Sequence, residues 1–121
     1  MNFNFNKIKK SDHPYIIAEI GVNHSCSLNV AKKMILQAKK GGAQAVKFQS
    51  YKAEKIAKRD SKAYWDTSKE KTKSQFELFS KYDKFGLKEY KQLANFCKKT
   101  KIDFLSTPFD VDVVDQLKNL V

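Results

Sequence analysis

No run in this 121-residue chain approaches the ~20 consecutive apolar residues of a membrane-spanning helix, which excludes a helical membrane protein. The start, Met1-Asn2-Phe3-Asn4-Phe5-Asn6, lacks the apolar core of a secretory signal, so a soluble cytoplasmic protein is expected. The two cysteines, Cys26 and Cys97, are then expected as thiols. Neither G-x-G-x-x-G nor a Walker pattern occurs, which removes support for nucleotide-binding folds. His24 and Cys26 lack a third ligand-type residue that would make a metal site, and a loop histidine beside a helix start more often hydrogen-bonds the backbone. No Cys/His pair with an orienting third partner is present, which excludes a cysteine-protease arrangement. Acidic residues are few, 13 against 24 basic, and the net charge is +11. Such a balance suits a polyanion partner. The lysines, however, fall on expected helix surfaces (Lys32, Lys33, Lys39, Lys40, Lys98, Lys99) without an Arg-rich or aromatic-interleaved motif. A solvated face is the better reading, and neither nucleic acid nor membrane is expected as a partner.

What is present centres on Ala45-Val46-Lys47-Phe48-Gln49, an apolar run interrupted by two polar residues two positions apart. Side chains alternate across a strand, so Lys47 and Gln49 share one face while Val46 and Phe48 share the other. A lysine inside a buried strand carries a desolvation cost unless an anion or a strong hydrogen-bond acceptor meets it. Two partners suit Lys47 at this point: the carboxylate of Glu19, late in another strand-like run, or an anionic ligand such as a phosphate or carboxylate.

Along the chain, residues 1–14 are polar, end in His13-Pro14 and read as an arm. Tyr15 to Ile20 is a near-continuous apolar run, expected as a parallel strand covered on both faces. Ser27 is placed as an N-cap for a helix whose inner face is Leu28, Ala31, Ile35 and Ala38, stopped by Gly41-Gly42. The second strand follows at once, giving a βαβ unit and a parallel sheet. Residues 50–73 form a long polar stretch with Tyr51, Tyr64 and Trp65, expected as a lid. Ser74-Gln75-Phe76-Glu77 fits a capping box at the start of a short helix. Beyond Gly86, the residues Leu87, Tyr90, Ala94 and Cys97 mark another inner face. Ile102 to Thr107 reads as a third strand stopped by Pro108. Asp110 then caps a last helix with Val114, Leu117 and Val121 inward, and no stop signal follows.

Each strand turns polar at its carboxyl end: Glu19, then Lys47 and Gln49, then Ser106 and Thr107. In parallel α/β folds those ends form the ligand site. Strands also end in polar residues simply because they end at the surface, which accounts for Ser106-Thr107-Pro108 more readily than for Glu19 and Lys47.

At these same residues the chain resembles the sialic acid synthase family, enzymes that condense phosphoenolpyruvate with a mannosamine-type sugar to make nonulosonic acids. The resemblance spans Tyr15 to Val121 and rests on four ordered blocks. These are Ile17-Ala18-Glu19-Ile20-Gly21-Val22-Asn23-His24, residues Gly42 to Gln49, Ser74-Gln75-Phe76-Glu77-Leu78, and Phe104-Leu105-Ser106-Thr107-Pro108-Phe109. Ser25-Cys26 departs from the Asn-Gly that many relatives carry, a change to the turn and not to an obvious catalytic group.

The resemblance implies the first three βα units of a (β/α)8 TIM-type barrel over residues 15–121. The family's small antifreeze-like domain follows the barrel and, in the homodimer, reaches over the partner's site. It implies Glu19 and Lys47 as catalytic residues. Glu19 and Gln49 would contact the sugar, Lys47 and Thr107 the phosphoenolpyruvate anion, with Ser106 and Phe109 lining the site. It implies a divalent cofactor, Mn2+ or Mg2+, to polarise the sugar aldehyde for attack by C3 of phosphoenolpyruvate, with ligands outside this chain. Three of eight strands do not close a barrel, so these residues alone are expected to be inactive. The sugar stays open between N-acetylmannosamine and the precursors of legionaminic or pseudaminic acid. A non-catalytic basic binding or oligomerisation fragment is the rival reading, and it leaves the polar strand ends unexplained.

Overall fold

A computed structural model of the chain describes residues 8–9 and 12–121, so the expected arm over 1–14 lies mostly outside the described residues. Three parallel strands, β1 (Ile17–Gly21), β2 (Ala45–Ser50) and β3 (Asp103–Pro108), form a sheet in the order β1-β2-β3. Between β1 and β2 runs α1 (Leu28–Lys40). The path from β2 to β3 carries α2 (Ala53–Ile56), α3 (Gln75–Tyr82) and α4 (Leu87–Thr100), and α5 (Val111–Leu117) follows β3.

The helix ends form where local chemistry requires them. Ser27 Oγ accepts from Val30 N–H at 3.3 Å and Asp110 Oδ1 accepts from Val113 N–H at 3.0 Å, each satisfying an orphan first-turn donor. Ser74 Oγ likewise accepts from Glu77 N–H at 3.1 Å, but Glu77 reaches back to Lys73 N–H (2.7 Å), one residue before the expected partner in a capping box. Gly86 starts α4 with Glu89 accepting from its N–H at 2.9 Å, a cap the apolar spacing did not reveal.

One face of the sheet carries the core. Ile20, Val46, Phe48 and Phe104 pack against Ile35 of α1, Leu93 and Cys97 of α4, and Leu117 of α5. Cys97 is the expected core thiol, and burial pushes it up to about 12. Two expectations about burial need correction. Among the described residues strand β1 is not covered on both faces: it is an edge of their sheet, and Ile17 remains 43% exposed. In α5 Leu117 is inward as expected, but its partner on that face is Val113, four residues earlier, while Val114 and, beyond the helix, Val121 are exposed.

The stretch expected as a lid is tied to α3 at several points. Lys62 pairs with Ser74 in an antiparallel bridge, Gln75 N–H donates to Ser61 O at 3.0 Å, and Glu70 meets Lys81 at 2.9 Å. Inside the excursion, Trp65 Nε1–H is shared by the carbonyls of Glu70 and Thr72, both at 3.2 Å. Trp65 thus helps to order the tract, whereas Tyr64 is 75% exposed.

Candidate active site at the strand ends

Register decides which polar residues meet. Glu19 pairs with Lys47, and Gln49 with Thr107, so their side chains stand on the sheet face opposite the helices. Lys47 Nζ donates to Thr107 Oγ1 at 3.0 Å and makes an ion pair with Glu19. The two side chains are 35% and 48% exposed, so the pair lies at an open face and not in a sealed interior. The Glu19 carboxylate meets Lys47, and the open surroundings also admit an anionic ligand.

A bulge falls between Glu19 and Gly21, where β1 shifts register against Lys47 and Phe48. Gly21 has φ +56, a left-handed conformation that glycine adopts at little cost. A Cβ built there would lie 3.6 Å from both Glu19 Oε1 and Gln49 Oε1, so these two side chains converge beside it. Four residues from three strands therefore come together: Glu19, Lys47, Gln49 and Thr107.

Ser106 does not join them. Adjacent strand residues point to opposite faces, and Ser106 turns to the helix side, 2.5 Å from Ser50 Oγ. Its hydroxyl thus stands apart from the Glu19, Lys47, Gln49 and Thr107 group. Phe109 sits just past β3, 47% exposed, with its ring edge-on to Tyr51 at 6.0 Å and its N–H donating to Ser50 O at 3.1 Å. It stands at the rim. Tyr51, which the sequence placed only in the polar stretch, is buried beneath it, and its hydroxyl is pushed up to about 12 by burial and then by the Asp83 carboxylate.

His24 hydrogen-bonds the backbone, as expected of a loop histidine beside a helix start. It is 1% exposed, stacked on Phe85 at 4.4 Å, and its Nδ1 accepts from Cys26 N–H at 3.1 Å. That bond helps hold a turn in which Ser25 and Cys26 both have positive φ, 47° and 57°. Burial holds the imidazole below its usual value, with a weaker opposing pull from the Gly21 carbonyl. The folded state therefore binds fewer protons than the unfolded one as pH falls below about 6.5. Stability is expected to be full above that pH and to fall through the acidic range. Thermal unfolding between pH 8 and pH 5 tests this: the loss should be steeper in the wild type than in His24→Phe, which keeps an aromatic ring but no titrating nitrogen.

Among the described residues no three His, Cys, Asp or Glu side chains gather as a metal site, and His24 Nδ1 is already engaged. These residues do not by themselves form the divalent site that the resemblance implies. No helix among them is long and apolar enough to cross a membrane. The lysines at 33, 39, 40, 98 and 99 are exposed on α1 and α4, in keeping with a solvated face.

A parallel α/β sheet that gathers an acid, a base, an amide and a hydroxyl at its carboxyl ends belongs to the class whose ligand sites lie there. The chain belongs to the NeuB family, whose model matches residues 34–121. It is 46% identical over 107 residues to an N,N'-diacetyllegionaminic acid synthase of Campylobacter jejuni, covering 87% of this chain and 32% of the relative. It is 34% identical over 109 residues to the N-acetylneuraminate-9-phosphate synthase of Homo sapiens, covering 89% of this chain and 30% of that protein. Among solved structures it resembles an N-acetylneuraminic acid (sialic acid) synthetase from Leptospira borgpetersenii, crystallised with citrate. The TM-score is 0.70 at 36% identity, covering 88% of this chain and 33% of that one. The chain thus spans about a third of the length of the curated relatives it matches.

Proposed function

We propose that residues 15–121 supply the first three βα units of a (β/α)8 barrel in a cytoplasmic synthase that joins phosphoenolpyruvate to a 2-acetamido sugar, yielding a nonulosonic acid. The observation that carries this reading is the convergence of Glu19, Lys47, Gln49 and Thr107 on one face of a parallel sheet, at its carboxyl ends. Family membership supplies the reaction class, and relatives named as legionaminic, neuraminic and pseudaminic acid synthases supply the range of sugars.

Each residue has a role its chemistry suits. Lys47 is a fixed cation for the phosphate or carboxylate of phosphoenolpyruvate. Thr107 accepts from Lys47 Nζ and so keeps its own O–H for the same anion. Gln49 offers an acceptor and donors to sugar hydroxyls or the acetamido group, and Glu19 a carboxylate acceptor beside it. Phe109 with Tyr51 forms an apolar rim. Ser106 supports from behind, fixed to Ser50. A divalent metal, Mn2+ or Mg2+, supplies Lewis-acid polarisation of the sugar aldehyde when bound in the assembled enzyme. A homodimer is the proposed assembly.

Phosphate release from phosphoenolpyruvate, followed with manganese and an N-acetylmannosamine-type sugar, tests the reading. The intact protein should turn over, and residues 1–121 purified alone should not, because a three-stranded sheet leaves the rest of the barrel site unbuilt. Sugar-independent inertness of the intact protein toward phosphoenolpyruvate would count against it, as would metal-dependent turnover by residues 1–121 alone.

A further inference from the structure

Glu19 and Lys47 are assigned above to different substrates, yet in the absence of either they neutralise each other. This pairing has a consequence for binding. The Lys47 ammonium has three donors; one is held by Thr107 and another by the Glu19 carboxylate. An anion arriving at Lys47 meets a carboxylate already at its cation, and like charges at that range repel. Glu19 sits on the edge strand at the β1 bulge, with its side chain about half exposed and Gly21 beside it carrying no side chain. Nothing on that side among the described residues locks it against Lys47 other than the ion pair itself.

We propose that Glu19 is a built-in competitor for the anion at Lys47, displaced when phosphoenolpyruvate binds and thereby freed, next to Gln49, to receive the sugar. The anion and Glu19 compete for one ammonium, so the hold of either on Lys47 weakens the hold of the other. This inference rests on the substrate assignment above for the identity of the anion. Its geometric core, one lysine shared between an internal carboxylate and an external anion, does not. The same arrangement keeps the empty site near charge neutrality, which protects an open lysine from adventitious anions.

Calorimetric titration of phosphoenolpyruvate into the intact protein decides the matter, using wild type, Glu19→Gln and Lys47→Met. Glu19→Gln keeps the shape of the side chain and removes its charge, so it should bind phosphoenolpyruvate roughly fivefold to tenfold more tightly than wild type, while Lys47→Met should lose most of the binding. Unchanged or weaker binding by Glu19→Gln, with wild type still binding, overturns the competitor role and leaves the substrate assignment standing. Absence of binding in wild type and Glu19→Gln alike, or full binding by Lys47→Met, overturns both. Glu19→Ala, read by the same titration, gives the same sign if Glu19→Gln does not fold.

Discussion

For the proposed synthase, Lys47→Ala is expected to lower kcat/KM for phosphoenolpyruvate by about 10²–10³-fold, the scale of removing one preorganised electrostatic group, without loss of the folded state. The second half of that expectation follows from exposure. Lys47 and Glu19 are 35% and 48% exposed, and ion pairs in such surroundings contribute ~0–1 kcal/mol to stability, well inside the margin of a folded domain. Thr107 loses a donor but remains at an open face where water replaces it. Steady-state kinetics beside a denaturation curve separate the two readings left open by the sequence. A variant that is inactive and folded identifies an anion-binding lysine. A variant that unfolds identifies a structural pair, and the strand-end site would then lose its cation.

How far the sequence disclosed this arrangement depended on the range of the interaction involved. Ser27, Ser74 and Asp110 cap their helices as read, because a cap is settled within four residues. The three strands appear within a residue or two of their expected limits, and period-2 alternation put Lys47 and Gln49 on one face. The same alternation separates Ser106 from Thr107, and the structure turns Ser106 toward Ser50. Of the residues expected inward on the last helix, Leu117 is buried and Val114 is not: Val113 and Val114 are both apolar, and only the packing of Val113 and Leu117 against the core chooses between them. The open side of β1 was hidden for a different reason. A continuous apolar run reports that a strand is suited to burial on both sides, and here only one side is covered among the described residues. The ties between the 57–74 excursion and α3 join residues distant in sequence, such as Glu70 and Lys81, and no local pattern announces them.

The most destabilising single change expected at this site lies one residue from Lys47. Phe48 is fully buried on the helix side of β2, with His24 at 5.7 Å and Phe104 at 5.6 Å between ring centroids. Truncation to alanine removes most of a buried aromatic side chain and leaves a cavity, a change that costs about 3–5 kcal/mol in well-packed cores. Set against a typical total of ~5–15 kcal/mol, that loss brings the chain close to its unfolding threshold. Urea denaturation of Phe48→Ala and Lys47→Ala in parallel makes the comparison within one strand: the first midpoint should fall sharply and the second hardly move. The contrast follows from alternation alone, since consecutive β2 side chains enter different environments, one a packed core and the other an open polar face. Equal effects would mean that both faces of β2 carry structural weight. A cost below ~1 kcal/mol for Phe48→Ala would mean that the helices do not hold β2 as described, and with it the placement of Lys47 and Gln49 beside Glu19 would fail.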